Sequence, residues 1–379
     1  MLDAPGQDRG PPSPEEPHGP RADPAQTDPL RVLLGLVLAL FLAVLVGHIL
    51  VVGQALILPI VIAVIVVYIL VTASQWIARQ PGGRMLPDWL RQVLVIAAFT
   101  LMMALLAGVV ASTASQLALR VPVYHANLTA LVHDASAALG RQVAPDLAAG
   151  WSSLTTGLSL DALALHVLGS FASFGGVLFM VAIYAGFLIG ERSGFSAKLA
   201  AALPGEGASR TARLVAEING TIGNYLAIKT LINAILGLMS FVILRAFGVD
   251  FAIFWAVLIA LLNYIPYVGS YLGVFFPVVL SLLQFGSFPL TLALAGLLVA
   301  AQIWVGNVLE PRMIGRKVNM SPFVVLVAVS IWSALWGVPG AILAIPLTSI
   351  LVIILAGFAA TRPLAILMSN DVTSVGDAG

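Results

Sequence analysis

The segment Leu56-Ile-Leu-Pro-Ile-Val-Ile-Ala-Val-Ile-Val-Val67 contains only apolar residues. It does not alternate between apolar and polar positions, as the strands of a membrane β-barrel do. In lipid, the backbone has to satisfy its hydrogen bonds within the segment, and a helix achieves this. We therefore predict a membrane-spanning α-helix at this position.

Segments of this kind recur along the chain. Asp, Glu, Lys and Arg are absent from residues 32–78, 92–119, 162–190, 251–309 and 318–361. Each block is long enough for one or two helical crossings of a hydrocarbon layer about 30 Å thick. Of the 379 residues, 60% are hydrophobic and 9% are charged, whereas a soluble domain has about 25% charged residues. The sequence predicts an all-α fold, a polytopic membrane helical bundle surrounded by lipid.

Composition and missing motifs exclude several function classes. The net charge is +1 and no basic patch occurs, so we expect no nucleic-acid partner. The absence of cysteine excludes disulfides, a thiol nucleophile and cysteine-ligated metals. No phosphate-binding loop, zinc-protease motif or serine elbow is present, which leaves an enzyme or an ATP-driven pump without support. We expect no cofactor and no metal.

Changes of polarity divide the chain into five regions. Residues 1–30 are rich in Pro, Gly and acidic residues and are predicted to form a disordered cytoplasmic tail. The other regions are N-terminal transmembrane helices at 31–114, an extracytoplasmic helical segment at 115–167, a C-terminal transmembrane domain at 168–362 and a cytoplasmic tail at 363–379.

The apolar runs predict single spans at 32–50, 54–73, 91–114, 168–190, 222–247 and 290–308, with a tight turn at Val52-Gly53. Clusters of Arg and Lys between the spans orient them by the positive-inside rule. With these clusters inside, the N-terminus is cytoplasmic and residues 115–165 lie outside. Residues 251–284 and 322–360 must then each form a hairpin. The total is six, eight or ten crossings, depending on which hairpins are re-entrant.

The extracytoplasmic stretch carries a seam of apolar residues spaced alternately by four and three: Leu117, Val121, Tyr124, Leu128, Leu131, Ala135 and Ala138. This spacing is typical of a helix with one buried face. The face could pack on neighbouring helices of the same chain or on a second subunit. Pro122 interrupts the run and weakens both interpretations.

The first candidate site is the broken apolar block Asn263-Tyr264-Ile265-Pro266-Tyr267-Val268-Gly269. Proline removes a backbone donor, and glycine permits conformations that other residues avoid. Inside lipid such a break is tolerated only where protein or a water-filled cavity satisfies the freed backbone groups. Broken helices often form transport sites, although a structural kink or a turn at the membrane surface would have the same sequence.

The second candidate is Trp336-Gly337-Val338-Pro339-Gly340, followed by an apolar run that ends at Pro346. A tight turn between two packed helices and a functional site explain it equally well. The two broken blocks do not align as an internal repeat, because their prolines have different spacings.

The third candidate combines Gln302 with Asn307, Glu310, Pro311 and Arg312. On an α-helix, Gln302 and Asn307 fall within a shared polar sector of roughly 140°. Glu310 follows Asn307 by three residues and lies nearly above it. A partly desolvated carboxylate here could exchange a proton or bind a cation, or it could pair with Arg312 or Arg316 in the headgroup layer.

Lys229 stands where an amphipathic segment enters the span at 222–247. Long lysine side chains at such positions commonly extend towards the membrane surface, and we predict the same for Lys229.

Three of these motifs resemble the C-terminal signature of the autoinducer-2 exporter family: Asn263-Tyr-Ile-Pro-Tyr-Val-Gly269, Gln302 with Asn307-Val-Leu-Glu-Pro-Arg-Met-Ile-Gly315, and Ser321-Pro322 with Gly337-Val-Pro-Gly-Ala-Ile-Leu-Ala-Ile-Pro346. The resemblance is strongest over residues 190–360. It implies a transporter of the bacterial inner membrane with about eight spans, both termini cytoplasmic, and assembly as a homo-oligomer. Members have been linked to export of the signal autoinducer-2 and, in some cases, to sodium–proton antiport.

The candidate residues are compatible with three functions. The first is efflux of a small polar solute, which Asn263, Tyr264, Tyr267, Gln302 and Asn307 could bind through hydrogen bonds. The second is cation–proton antiport, in which Glu310 would exchange a proton for the cation. The third is a non-transporting membrane scaffold, which has no reason to keep polar groups at broken helices.

Overall fold

The computed structural model describes residues 29–139, 180–191, 198, 206–314 and 319–371. The α-helices of these ranges are α1 (Pro29–Val52), α2 (Gln54–Arg79), α3 (Asp88–Leu139), α4 (Met180–Glu191), α5 (Glu206–Ala246), α6 (Ala252–Leu262), α7 (Val268–Phe285), α8 (Phe288–Trp304), α9 (Glu310–Ile314), α10 (Pro322–Ala356) and α11 (Arg362–Met368).

Seven helices in these ranges are long and apolar enough to cross a membrane, and α4 and α6 are shorter apolar helices. This confirms the predicted all-α membrane bundle. The predictions for residues 1–28, 140–179 and 372–379 concern parts of the chain outside the described ranges. The segment predicted as a C-terminal tail begins with the short helix α11.

Among the described residues, those up to Leu50 and those from Val51 onward form two compact units. The predicted turn after Val52 is present, since α1 ends there and α2 begins at Gln54. Within the second unit, α2 packs against α4 through Ala63, Val181 and Ala185.

Helix α3 is longer than the predicted span at 91–114, because it continues through Pro122 to Leu139. The apolar seam explains this extension. Tyr124 and Leu131 are buried, and Leu117 and Tyr124 pack into the core formed with other helices of the same chain. Within the described part of the seam, the intrachain interpretation therefore accounts for the burial.

Helix α5 is 41 residues long and provides the axis of the second unit. Its buried residues Ile232, Leu236 and Leu244 pack against α6, α7 and α8. The partners on those three helices are Ala252, Ala256, Ile259, Leu280, Leu294 and Leu298.

The predicted hairpin at 251–284 is formed by α6 and α7. Helix α6 has 11 residues, which corresponds to about 16 Å. That length is too short for a hydrocarbon core about 30 Å thick. The chain turns at Pro266–Val268, where the N–H of Val268 donates to the Pro266 carbonyl at 2.6 Å. Tyr267 at the centre has φ 60° and ψ −60°, a strained turn for a residue with a side chain.

The predicted hairpin at 322–360 lies within α10, where the backbone leaves helical geometry at Gly337, with φ 64° and ψ −142°. The Trp332 indole N–H donates to Thr348 Oγ1 at 3.0 Å, although the two residues are 16 apart in sequence. A straight helix would place them about 24 Å apart. The chain therefore reverses direction at Gly337, and the two arms of α10 pack against each other.

The first hairpin packs against the second. Leu262 and Ile265, at the turn after α6, contact a buried cluster of Ala328, Ala341 and Ala344 on the two arms of α10. Small side chains at these positions let the backbones approach closely, which is how helices pack in lipid.

A polar cluster connects α3 to the loops at the ends of α5 and α7. Tyr124 donates its hydroxyl hydrogen to Asp250 at 2.9 Å, and Arg120 lies 3.8 Å from the same carboxylate. Asn127 donates to the Gln284 carbonyl at 2.7 Å, and Gln284 accepts from the Asp250 N–H. Burial, together with the Asp250 carboxylate, raises the pKa of Tyr124, so its hydroxyl keeps the proton that it donates.

Two glycines are required where the hairpins reverse. A Cβ on Gly269 would overlap the carbonyl oxygen of Leu262, and a Cβ on Gly340 would overlap that of Trp332. In both cases the obstacle is backbone, which cannot rotate away as a side chain can.

We predict that Gly340→Ala lowers the unfolding temperature of the purified protein in detergent, because the overlap with Trp332 forces the two arms of α10 apart. Gly269→Ala should act in the same way on the first hairpin. Gly296→Ala is the matched control, since nothing lies within 4 Å of the added methyl group. That change should be neutral or stabilising by about 0.5–1 kcal/mol. Equal unfolding temperatures for all three variants would contradict the close backbone approach.

Candidate functional site

A cavity of about 890 Å³ lies between α5, the α6–α7 hairpin and the junction of α8 with α9. Its polar lining consists of Tyr225, Lys229, Asn263, Tyr267, Ser270, Tyr271, Gln302, Asn307 and Glu310. Apolar walls come from residues such as Val274, Phe275, Val299 and Ile345. A mainly apolar cavity with a few convergent polar groups is typical of a small-molecule site.

One face of α5 supplies a polar stripe to this site. Tyr225, Lys229 and Asn233 follow each other at intervals of four residues and therefore lie along one side of the helix. All three are buried, with 4%, 5% and 3% of their surface exposed. Burying three polar side chains in a membrane protein is costly unless each has a partner or a role.

Lys229 forms an ion pair with Glu310, with Nζ and Oε1 2.7 Å apart. The Lys229 side chain is 6% exposed and that of Glu310 is 30% exposed. The ammonium ion is thus nearly removed from solvent, while the carboxylate keeps contact with the cavity. Each charge makes the burial of the other tolerable, and the pair connects α5 to α9.

A π-helical turn at Val305–Leu309 positions Glu310 at the start of α9. The N–H of Glu310 donates to the Val305 carbonyl, five residues earlier. Such a turn places residues five apart on the same side, which is the spacing of Gln302 and Asn307. Both therefore line the cavity together with Glu310.

Hydrogen bonds fasten the turn of the first hairpin to α5. The Asn263 amide donates to Asn233 Oδ1 at 2.8 Å, and the hydroxyls of Thr230 and Tyr264 lie 2.7 Å apart. Ser270, at the beginning of α7, donates to Asn263 Oδ1 at 3.3 Å. These contacts satisfy polar groups that the break in the helix would otherwise leave in an apolar environment.

A buried amide nitrogen of the cavity lining, Gln302 Nε2, lacks a hydrogen-bond partner among the described residues. Gln302 lies against Gly273, where a Cβ would be 3.7 Å from the amide nitrogen. Unpaired donors of this kind are rare in proteins because each loses its hydrogen bonds with water. A ligand that offers acceptor atoms would satisfy them.

The structure brings half of the fourteen predicted site residues together around the cavity. Asn263, Pro266, Tyr267, Gln302, Asn307, Glu310 and Pro311 line the cavity. Tyr264 and Gly269 belong to the same hairpin turn but are not part of the lining. Gly337, Pro339 and Gly340 form the turn of the second hairpin, and Pro346 is buried next to the lining residue Ile345. Arg312 is exposed and lies outside the lining.

Two details of the sequence interpretation differ from the structure. Lys229 does not extend to the membrane surface but is buried, because Glu310 provides a counter-ion within the bundle. For the same reason the ion pair of Glu310 joins it to Lys229 rather than to Arg312. Arg316, the other predicted partner, lies outside the described residues. Tyr225 and Asn233 were also missed. Their spacing of four from Lys229, within an otherwise apolar span, was the available signal.

A metal centre has no support in the described ranges, where no three His, Cys, Asp or Glu side chains are grouped closely enough to hold an ion.

The chain matches the sequence profile described as "AI-2E family transporter" over residues 34–359. This range includes the cavity, both hairpins and all the candidate residues.

Similar individual proteins include two that carry the name "Putative transport protein". The one from Borreliella burgdorferi is 38% identical over 44% of this chain and 47% of its own length. The one from Haemophilus influenzae is 29% identical over 76% of this chain and 83% of its own length. The AI-2 transport protein TqsA of Escherichia coli is 38% identical over 40% of this chain and 43% of its own length. The chain thus spans about half the length of the first and third relatives.

We predict that Glu310→Gln destabilises the protein by on the order of 3 kcal/mol, because it leaves the Lys229 ammonium ion buried without a counter-ion. Adding Lys229→Met should recover most of this loss, since the double variant buries no charge. Thermal unfolding of the single and double variants measures the coupling between the two residues.

The exposed pair Lys198–Glu191, with an N–O distance of 2.6 Å, serves as a matched control. The same substitutions there should leave the unfolding temperature unchanged, because solvent screens an exposed pair. A double variant at 229 and 310 that is no more stable than the single variant would contradict a buried ion pair.

Proposed function

The chain belongs to the AI-2E family of transporters, and we propose that it is a secondary transporter that exports a small polar solute through the cavity beside Lys229 and Glu310. The protein is a multi-pass membrane transporter, and the residues of its path are the subject of this proposal. They are Asn263, Tyr267, Gln302, Asn307 and Glu310, with Lys229 added from the structure.

The observation that carries the proposal is the convergence of two interrupted helices on one polar cavity. The strained turn at Tyr267 and the π-helical turn at Val305–Leu309 both border it. Interrupted helices are costly in a membrane, and they commonly occur where a substrate is bound between helices. A purely structural bundle would be more stable with continuous helices and apolar side chains here.

Autoinducer-2 is the first solute to test, because the relative from Escherichia coli is named an AI-2 transport protein. The aligned part covers 43% of that protein, so a shared substrate is part of the proposal. Amide and hydroxyl groups of Asn263, Tyr267, Gln302 and Asn307 suit a small solute rich in hydroxyl and carbonyl oxygens.

Sodium–proton antiport is less well supported by the site. A sodium ion at Glu310 would have to displace the Lys229 ammonium ion, which lies 2.7 Å from the carboxylate. Lys229 is held beside Glu310, since only 6% of its side chain is exposed. A non-transporting scaffold binds no ligand, so it would not explain why the buried amide nitrogen of Gln302 is kept without a hydrogen-bond partner.

We further propose that the protein lies in the bacterial inner membrane with both termini cytoplasmic and assembles as a homo-oligomer. The orientation rests on Arg79 at the end of α2, Arg84 in the loop that follows and Arg91 in the first turn of α3. It rests also on Arg312, which follows α8. Transport would be driven by solute or ion gradients, because the chain has no nucleotide-binding motif.

We predict that proteoliposomes containing the purified protein move autoinducer-2, and that Asn263→Leu and Gln302→Leu each lower the rate about tenfold. Each change removes one hydrogen bond to the solute, worth about 1.4 kcal/mol. Ser330→Ala should keep the normal rate, because that exposed hydroxyl bonds only to the Leu326 carbonyl of its own helix.

A sodium gradient and a pH-sensitive dye inside the same vesicles test the alternative. A pH change that depends on sodium, lost in Glu310→Gln, with no movement of autoinducer-2, would favour antiport. Equal rates in wild type and in both cavity variants would show that the solute takes another path.

A further inference from the structure

The two charged side chains that line the cavity differ in how much of their surface is exposed to solvent. Among the described lining residues, Lys229 and Glu310 are the charged side chains. The Lys229 side chain is 6% exposed, whereas Glu310 is 30% exposed. The Glu310 carboxylate can therefore move away from Lys229 into the cavity, whereas the Lys229 ammonium ion stays in place within the protein. Whatever replaces Glu310 beside Lys229 has to be an anion.

Two side chains of the lining, Gln302 and Lys229, have N–H groups that could donate to a bound acceptor. Gln302 Nε2 is buried without a partner, and the ammonium group of Lys229 has three hydrogens, of which Glu310 accepts one. Both residues line the same cavity. A small carboxylate has two acceptor oxygens, so it could pair with Lys229 and still accept from a neighbouring amide.

Displacement of Glu310 has a consequence for its own charge. Once an anion pairs with Lys229, the Glu310 carboxylate lies beside a second negative charge in a cavity with apolar walls. Two like charges at one poorly solvated site are strongly disfavoured, and a proton on one of them removes the repulsion. Glu310 is the group in contact with the cavity and can take that proton from water.

We propose, building on the transport function above, that the cavity binds small monocarboxylates at Lys229 and that each bound anion is accompanied by one proton on Glu310. The empty site contains one ammonium and one carboxylate, with no net charge. The loaded site contains the ammonium, the substrate anion and a neutral carboxylic acid, again with no net charge. The site thus carries an anion together with a proton without moving net charge.

We assign the proton to Glu310 because it is the carboxylate among the described lining residues. Tyr225 is buried on α5 next to the pair, Tyr267 and Tyr271 come from the first hairpin, and Arg312 is exposed on α9. Arg312 is outside the lining.

The test measures equilibrium binding of acetate, lactate and benzoate to the purified full-length protein in detergent, by calorimetry in buffers of different ionisation enthalpy. The matched amides, acetamide, lactamide and benzamide, have similar shapes but no charge. We expect at least one carboxylate to bind at least about tenfold more tightly than its amide, with uptake of one proton per site. Its dissociation constant should rise about tenfold for each unit of increase in pH.

Variants separate anion binding by Lys229 from proton uptake by Glu310. Glu310→Gln should bind the carboxylate at least as tightly as wild type, without proton uptake and without the dependence on pH. Lys229→Met should lose carboxylate binding. The exposed pair again provides the control, since Lys198→Met with Glu191→Gln should bind as wild type does. The thermal unfolding of every variant is recorded first, to show that it is folded. The comparison of acids with amides uses the wild-type protein and does not depend on any variant.

Binding of the amides as tightly as the acids, binding without proton uptake, or no binding of any of the three carboxylates would overturn the inference. Flux of autoinducer-2 in proteoliposomes together with any of these results would leave the transport function standing. Carboxylate binding with proton uptake but no flux of any solute would instead contradict transport while supporting the site.

Discussion

The ion pair between Lys229 and Glu310 is the contact on which the arrangement of the cavity depends. It joins the long helix α5 to the junction of α8 and α9 inside an apolar bundle. Neither charge could remain there alone, because an unpaired buried ion costs more than one stabilising contact returns. The π-helical turn before Glu310 is explained by the same requirement, since it sets the position from which the carboxylate reaches Lys229.

The two helical hairpins reverse direction in the same way. Each reverses direction near a proline and then brings a glycine, Gly269 or Gly340, against a backbone carbonyl of the preceding arm. Close backbone contact makes each hairpin compact enough to lie inside the bundle. The first hairpin then presents Asn263 to Asn233 of α5, so that the turn, the stripe on α5 and the ion pair form one connected polar region.

The sequence predicted the elements that depend on local chemistry. Apolar runs predicted the spans that coincide with α1, α2, α3, α5 and α8, and the Pro and Gly residues at 266, 269, 337 and 339 predicted where both hairpins reverse. The sequence predicted that the chain stays helical after the span at 91–114, but it left open whether the seam packs on the same chain, because the contacts of Tyr124 with distant helices have no local signal. The role of Lys229 was missed because its partner is 81 residues away, and no local pattern reveals which helices are neighbours. Asn307 was placed in a shared sector with Gln302, but the π-helical turn that aligns them has no clear sequence signal.

The most direct test of a water-filled solute path beside Lys229 uses the absence of native cysteine. Single cysteines replace Ser270 and Asn307 in the cavity lining, and Leu231, which is 51% exposed on the apolar outside of α5. A charged thiol reagent is applied to both sides of the membrane, and it reacts only with a thiolate in contact with water. We predict modification of Ser270→Cys and Asn307→Cys and none of Leu231→Cys. Unmodified cysteines at both cavity positions, or equal modification at all three, would contradict the path.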